Sequence, residues 1–476
     1  MDGVLPGGDD VAAGMAGRPR SPVVRAAGAV GRSLFHSRHP ARSVVLGFAL
    51  AVLVGTILLM LPVAAESGRA TAPLTALFTA TSAVCVTGLA LVDTAGYWSG
   101  FGEVVILGLI QIGGLGIMTL ATLLGLLVAR QLGLRIRLSA QAETRAVGLG
   151  ELRRVVYGVI VLSLAVEAVI AAVLTVRFAT GYDLPWDRAA YEGVFHAVSA
   201  FNNAGFALYA DNLVRFATDP AIVLPLMLTW ILGGLGFPVL FEIGRRLRGR
   251  RRRWSLHARL TLATYFGLVG VGVVAVTAIE WANPATLGPL GVGDKLLVGG
   301  FHGVTPRTAG FNTLDVAQLR PASLLVNDVL MFIGGGSAGT AGGIKVTTFV
   351  LLAFVILAEL RGEPTVHALG RRITGDVVRQ AVTVALLGVG AVIAGTLVLL
   401  LTTAHRLDAV LFEAVSAFGT VGLTTGITGD LPAVAQLVLV VLMFVGRLGP
   451  ITLGSALALR DRARRFERPK ERPIIG

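Results

Sequence analysis

The chain has 476 residues, 54% of them hydrophobic and only 14% charged, with a mean hydropathy of +0.77. Soluble domains are about 25% charged, so this chain cannot wet the surface of a 49.5 kDa soluble protein, and its dispersed apolar runs exclude a single membrane anchor. The formal charge of +13 would favour nucleic-acid binding in a soluble protein, but the bases gather in a few loops, as membrane orientation requires, and no nucleic-acid partner is inferred.

Residues 1–42 hold Gly, Pro and six arginines and read as a flexible basic cytoplasmic arm; the first long apolar stretch lies too far in for a signal peptide. Eight stretches are long enough to span the membrane, near 44–63, 101–129, 155–177, 221–242, 260–280, 324–358, 378–402 and 433–459. Between the members of each successive pair lies a weaker segment, near 73–92, 190–209, 296–314 and 407–426. These are too short and polar to span. A short helix that dips in and returns as extended backbone is the alternative.

The four weak segments resemble one another. Each opens on Phe (Phe78, Phe195, Phe301, Phe412), passes a Ser or Thr, and closes on Gly88, Gly205, Gly310 or Gly422 followed by a large apolar residue. A fourfold internal repeat of helix, re-entrant loop and helix follows. The expected fold is therefore an all-α polytopic membrane protein with four such units around one pseudo-fourfold central pore. Its divisions are the arm 1–42, repeats at 43–129, 155–244, 260–358 and 378–459, linkers at 130–154, 245–259 and 359–377, and a basic tail at 460–476. Arginines concentrate in 130–154, in 245–259 and after 459, on the side of the arm, so both termini are expected in the cytoplasm and the loops enter from outside.

Backbone that leaves the helical pattern inside a membrane must be packed in protein or line a polar cavity. Extended backbone ending in glycine can turn carbonyl oxygens inward, where they replace the water shell of a monovalent cation. The short helices also aim their negative dipole ends at the axis. The expected filter comprises Val86, Thr87 and Gly88; Asn203, Ala204 and Gly205; Thr308, Ala309 and Gly310; and Thr420, Val421 and Gly422. The absence of a carboxylate ring disfavours a divalent ion, and potassium, held at the four glycines by backbone carbonyls, is the best candidate. Glycines that merely permit helix packing account for one or two of these positions, not four in register.

The motifs CVTG at 85–88, AFNNAGF at 200–206, RTAGFNT at 307–313 and GTVGLTTG at 419–426 together carry a resemblance. QIGGLGIMT at 111–119, GGGSAGTAGGIKVTT at 334–348 and FVGRLGPITL at 444–453 extend it. The chain resembles the Trk/Ktr/HKT superfamily of potassium transporters, nearest its bacterial KtrB branch. The resemblance implies a potassium-selective filter, because all four filter positions are glycine, and localisation in the bacterial cell membrane. It also implies a homodimer with one pore per protomer, a cytoplasmic ring of KtrA-like nucleotide-binding regulatory subunits, and uptake stimulated by sodium.

The sixth apolar stretch is interrupted by Gly334, Gly335, Gly336, Ser337, Ala338, Gly339, Thr340, Ala341, Gly342 and Gly343. Each glycine costs about 1 kcal/mol in a helix interior, so a movable intramembrane loop beneath the filter is expected, and the resemblance implies a gate there. A tight break in helix packing is the plainer alternative. Lys345 either snorkels to the cytoplasmic interface or interacts with this loop. Arg447, by the resemblance, lies near the loop and forms part of the gate. Glu103 and Glu167 suggest polar pairing within the bundle. Arg307 is expected to brace the filter, with Asn202, Asn203 and Asn312 as supports or loop caps, and His196 and His302 read as structural.

No catalytic constellation rises above background, and the GxGxxG-like fragments lie within spans, outside the strand-to-helix context that nucleotide binding needs. The chain is expected to be no enzyme and to hold no cofactor. Potassium is its substrate. The competing class, a secondary transporter driven by a sodium or proton gradient, would show inverted halves where this chain shows four parallel repeats.

Overall fold

The computed structural model describes residues 40–116, 149–249 and 253–449. The N-terminal arm up to 39, most of the 130–154 linker, the ends of the second and eighth apolar stretches and the basic tail lie outside the described residues.

The order of elements repeats four times. The first unit is α1 (Pro40–Leu59), short α2 (Pro73–Val84) and α3 (Gly100–Gly116). The second is α4 (Leu149–Gly181), short α5 (Trp186–Phe201), α6 (Pro220–Leu235) and α7 (Phe237–Leu247). The third is α8 (Leu256–Glu280), short α9 (Val292–Val304), α10 (Pro321–Phe332) and α11 (Val346–Leu360). After a hairpin of two-residue strands, β1 (His367–Ala368) and β2 (Arg371–Arg372), come α12 (Gly375–Thr402), short α13 (Leu407–Gly419) and α14 (Ala433–Leu448). Proline at the first turn of α2, α6 and α10 fits a helix start, where the missing N–H has no intrahelical partner anyway.

The described helices meet the expected spans unevenly. Among the described residues three helices are long and apolar enough to cross a membrane, within Arg154–Gly181, Leu256–Glu280 and Gly375–Thr402. The expected single span over 221–242 is instead α6 and α7, bent by 107° at Gly236. Gly236 sits at φ +89°, and Pro238 follows within the first turn of α7, so a straight helix is not available there. The sixth stretch is two helices, and the expected interruption is the non-helical chain 333–345 between α10 and α11.

Within each unit the long first helix packs on the short one: α1 on α2, α4 on α5, α8 on α9 and α12 on α13. Between units, α6 packs on α9, α10 on α13 and α14 on α2, so the last unit returns to the first. The short helices are buried along much of their length. The first helices instead expose Leu50, Leu53 and Ile57 on α1, Leu164 and Val169 on α4, Val271 and Val274 on α8, and Ile393 and Leu397 on α12. Water would penalise such a coat, whereas lipid chains match it. The molecule is a multi-pass membrane protein.

Candidate functional site

The four motif glycines meet. All have positive φ, from +70° at Gly205 to +96° at Gly422. A Cβ on Gly88 would strike the Ala204 carbonyl oxygen and lie 3.2 Å from Gly205, and one on Gly205 would lie 2.7 Å from Gly310 Cα. One on Gly310 would strike the Val421 carbonyl oxygen, and one on Gly422 would strike that of Thr87, 3.1 Å from Gly88 Cα. The contacts run in chain order and close. No side chain larger than hydrogen fits in this ring without moving backbone. Two residues before each glycine, Val86, Asn203, Thr308 and Thr420 also sit at positive φ, between +49° and +67°. Left-handed backbone is a genuine outlier for β-branched residues, so its recurrence at one register in four segments marks a shape held by its surroundings.

The Ser or Thr four residues after each Phe does part of that holding. Ser82 and Ser416 accept the N–H of Gly88 and Gly422, each at 3.1 Å. Ser199 and Thr305 donate to the carbonyls of Phe206 and Phe311, at 2.7 and 2.5 Å. Their backbone carbonyls accept from Thr87, Ala204, Ala309 and Val421, the residues just before the glycines.

The second helices approach the ring through further glycines. Gly113, Gly233 and Gly446 lie against the carbonyl oxygens of Val84, Phe201 and Phe418, which occupy matching places six residues after each motif Phe. In the third unit that place is Arg307, and the partner helix has already ended at Phe332. Helix ends leave carbonyls without partners. Arg307, wholly buried, donates to the Ile333 carbonyl at 2.6 Å and the Gly334 carbonyl at 2.8 Å, with its guanidinium over the Tyr265 ring at 5.1 Å. Carbonyls, not carboxylates, therefore hold it.

The segment 333–345 lies against the ring on the side of the residues that precede the glycines. Gly336 N–H donates to the Gly234 carbonyl at 2.8 Å, and Thr340 N–H to that of Gly233 at 3.2 Å. Ala338, at φ +59°, accepts from Phe237 N–H at 3.2 Å, docking the loop on the α6–α7 break, and Ser337 Oγ lies 3.1 Å from Thr347 Oγ1. Gly339 approaches the Gly233 and Gly234 carbonyls, and a Cβ on Gly342 would strike Thr420 Oγ1 and come within 2.9 Å of the Gly419 carbonyl oxygen. Val346 N–H donates to Gly335 and Gly334 N–H to Ile344, while Gly343 takes φ +62°. Arg447, 3% exposed, donates to the Thr340 carbonyl and, at 3.0 Å, to that of Gly113. It thus joins the loop to the first unit. Lys345 does not extend away from the loop: its ammonium donates to the Ala341 carbonyl.

On the other side of the ring opens a cavity of about 600 Å³, lined by Gly88, Gly205 and Gly422 together with Asp93, Asp211 and Asp315. Asp93 and Asp315 cap short helical turns, and Asp211 pairs with Arg215 at 2.7 Å. Several other polar residues brace the fold. Tyr191 donates to Glu103 at 2.5 Å, while Gln111 and Asn202 donate to Glu167 at 3.1–3.3 Å. Asn312 donates to the Leu314 carbonyl at 2.9 Å. His196 is bonded at both ring nitrogens, to Glu192 O and Leu208 N, whereas His302 is buried with neither bonded. No group of three metal-ligating side chains occurs among the described residues.

The TrkH family of cation transport proteins matches residues 35–461. The chain belongs to this family. It is 39% identical to the Ktr system potassium uptake protein B of Bacillus subtilis, over 89% of this chain and 94% of that protein. It is 35% identical to the Ktr system potassium uptake protein B of Vibrio alginolyticus, over 91% and 94%, and 33% identical to the potassium/sodium uptake protein NtpJ of Enterococcus hirae, over 92% and 97%. The crystal structure of the potassium transporter TrkH from Vibrio parahaemolyticus shares the fold, with a TM-score of 0.70 at 19% identity, over 89% of this chain and 85% of that one. This TrkH-family member therefore belongs with potassium uptake transporters and not with enzymes.

Two structural features escaped the sequence reading. Glu413, wholly buried in α13, accepts from Thr424 Oγ1 at 2.5 Å, Thr425 N at 3.0 Å and Thr428 Oγ1 at 2.9 Å, fixing the chain after Gly422. The second helices also carry their own repeat, GGLG at 113–116 and 233–236 against GRLG at 446–449, in which Arg447 replaces a glycine. Aligning those helices would have singled out Arg447 and Gly233 without any family knowledge.

Proposed function

We propose that this protein takes up potassium across the bacterial cell membrane through a pseudo-fourfold pore, with the glycine ring as its selectivity filter and 333–345 as its gate. The observation that carries this reading is the closed ring of four left-handed glycines backed by a glycine-rich segment. Such backbone turns carbonyl oxygens toward a common axis, where they substitute for the hydration of a monovalent cation. Glycine leaves the axis unobstructed, and the C-terminal ends of α2, α5, α9 and α13 supply negative dipole ends there. The cavity bearing Asp93, Asp211 and Asp315 is then the outer vestibule, and it concentrates cations. Below the ring, the positive charges of Arg447 and Lys345 oppose a cation while the loop is docked.

The same proposal divides the chain into the four repeats and linkers set out above, with both termini cytoplasmic, and includes a homodimer with one pore per protomer. Sodium enters the same proposal as a stimulating ion. A nucleotide-binding ring regulates from the cytoplasmic side. A cluster of Arg246, Arg253, Arg259 and Arg371 around one cavity is the basic face proposed to meet it.

The test is potassium and sodium flux into liposomes holding the purified full chain, beside Gly88→Ser. Potassium-preferring flux that loses its preference in the variant supports the filter. Flux with the same preference in both rejects it.

A further inference from the structure

The docked loop does more than obstruct. Thr340 Oγ1 donates to Asn203 Oδ1 at 2.7 Å, Asn203 Nδ2 donates to Thr308 Oγ1 at 3.2 Å, and Thr308 Oγ1 donates to the Arg307 carbonyl at 2.6 Å. The order is fixed, because the Thr308 hydroxyl already donates to a carbonyl and must accept from Asn203. All three side chains are wholly buried. Asn203 and Thr308 are two of the four left-handed residues that shape the ring, so this chain of bonds runs from the loop into the second strand and across to the third. Arg307, next to Thr308, holds the start of the same loop through Ile333 and Gly334. Corresponding positions in the first and fourth segments carry no such relay: the Val86 side chain has no polar atom, and Thr420 Oγ1 has no hydrogen-bond partner.

The geometry points to Thr340 as a specificity-positioning residue: the docked loop sets the shape of the second and third filter strands through Asn203 and Thr308, so loop and filter act as one switch. This rests on the filter and gate reading above and adds to it a dependence of ion discrimination on loop position. A gate that is only a plug leaves the preference of the filter among ions the same whether or not it is docked through Thr340. A gate wired into the filter changes that preference.

Purified full chain is assayed for equilibrium binding of rubidium (as potassium surrogate) with sodium as competitor, which reads the ring with the loop docked and needs no flux, in wild type, Thr340→Val, Thr340→Ser, Asn203→Ala and the Thr340→Val/Asn203→Ala pair. Losing one hydrogen bond predicts a fall of about two- to tenfold in the rubidium/sodium affinity ratio for Thr340→Val. Thr340→Ser, which keeps the hydroxyl, restores the wild-type ratio. The pair shows no further fall beyond Asn203→Ala, because both changes cut one path. If Thr340→Val does not purify as a single species, Thr340→Ala takes its place. An unchanged ratio in Thr340→Val, or ratio changes that simply multiply in the pair, overturns the coupling while leaving the filter standing. Wild-type binding without rubidium preference overturns the filter reading and the coupling with it.

Discussion

Gly233→Ala isolates the role of the close helix approaches. Its new Cβ would strike the Phe201 carbonyl oxygen and lie 2.8 Å from Asn203 Oδ1 and 2.9 Å from Thr340 Oγ1. Comfortable van der Waals separations are roughly 3.5–4.0 Å, so α6 must retreat from α5 or the Thr340–Asn203 bond must open. Gly267→Ala in α8 is the matched control, because nothing lies within 4 Å of its added methyl. Both replacements gain about 1 kcal/mol of helix propensity, which cancels in their comparison. What remains is overpacking at residue 233, about 1–3 kcal/mol, or roughly a 5- to 150-fold difference in the unfolding equilibrium. Thermal stability in detergent, read as the monodisperse fraction after heating, ranks Gly267→Ala above wild type and Gly233→Ala below it. Gly233→Ala as stable as Gly267→Ala would refute the close packing and the argument built on it.

Glu413→Gln leaves four donors facing an amide with half the acceptor capacity, and is expected to cost about 1–3 kcal/mol with reduced potassium flux, measured by the same heating assay and by rubidium uptake. Gly422→Ala forces a left-handed alanine against the Thr87 carbonyl; its backbone alone costs about 1–2 kcal/mol, and uptake should fall while the protein still reaches the membrane. Asp219→Asn removes the ion pair with the partly exposed Arg177 but keeps an oxygen to cap Ala221 N, so a small loss of heat stability with unchanged uptake is expected. Cys85, the one cysteine and wholly buried, should resist maleimide in the native protein and react after denaturation in SDS. Rapid native labelling would contradict the packing at the end of α2.

The positions of the ring glycines were legible because the sequence repeats them four times, and a repeat survives any ignorance of how its copies pack. The break at 333–345 was legible for a similarly local reason: a run of glycines cannot continue a helix. The shape of the ring was not. Nothing near Val86 or Thr308 announces a left-handed backbone, since β-branched residues disfavour it and only their surroundings impose it. The bend at Gly236 was missed because apolar composition continues straight through it.

Arg307 shows the limit most directly. Its place in the third repeat marked it as a brace, but its partners are 26 and 27 residues further on and are backbone carbonyls, which every residue carries and no sequence pattern can single out. Arg447 reaches still further, to Gly113. Composition and the recurring motif therefore determined a multi-pass membrane protein with glycines at four matched positions. Only the tertiary structure decided which backbone groups those positions present to one another, because such contacts depend on distances between segments that are remote along the chain.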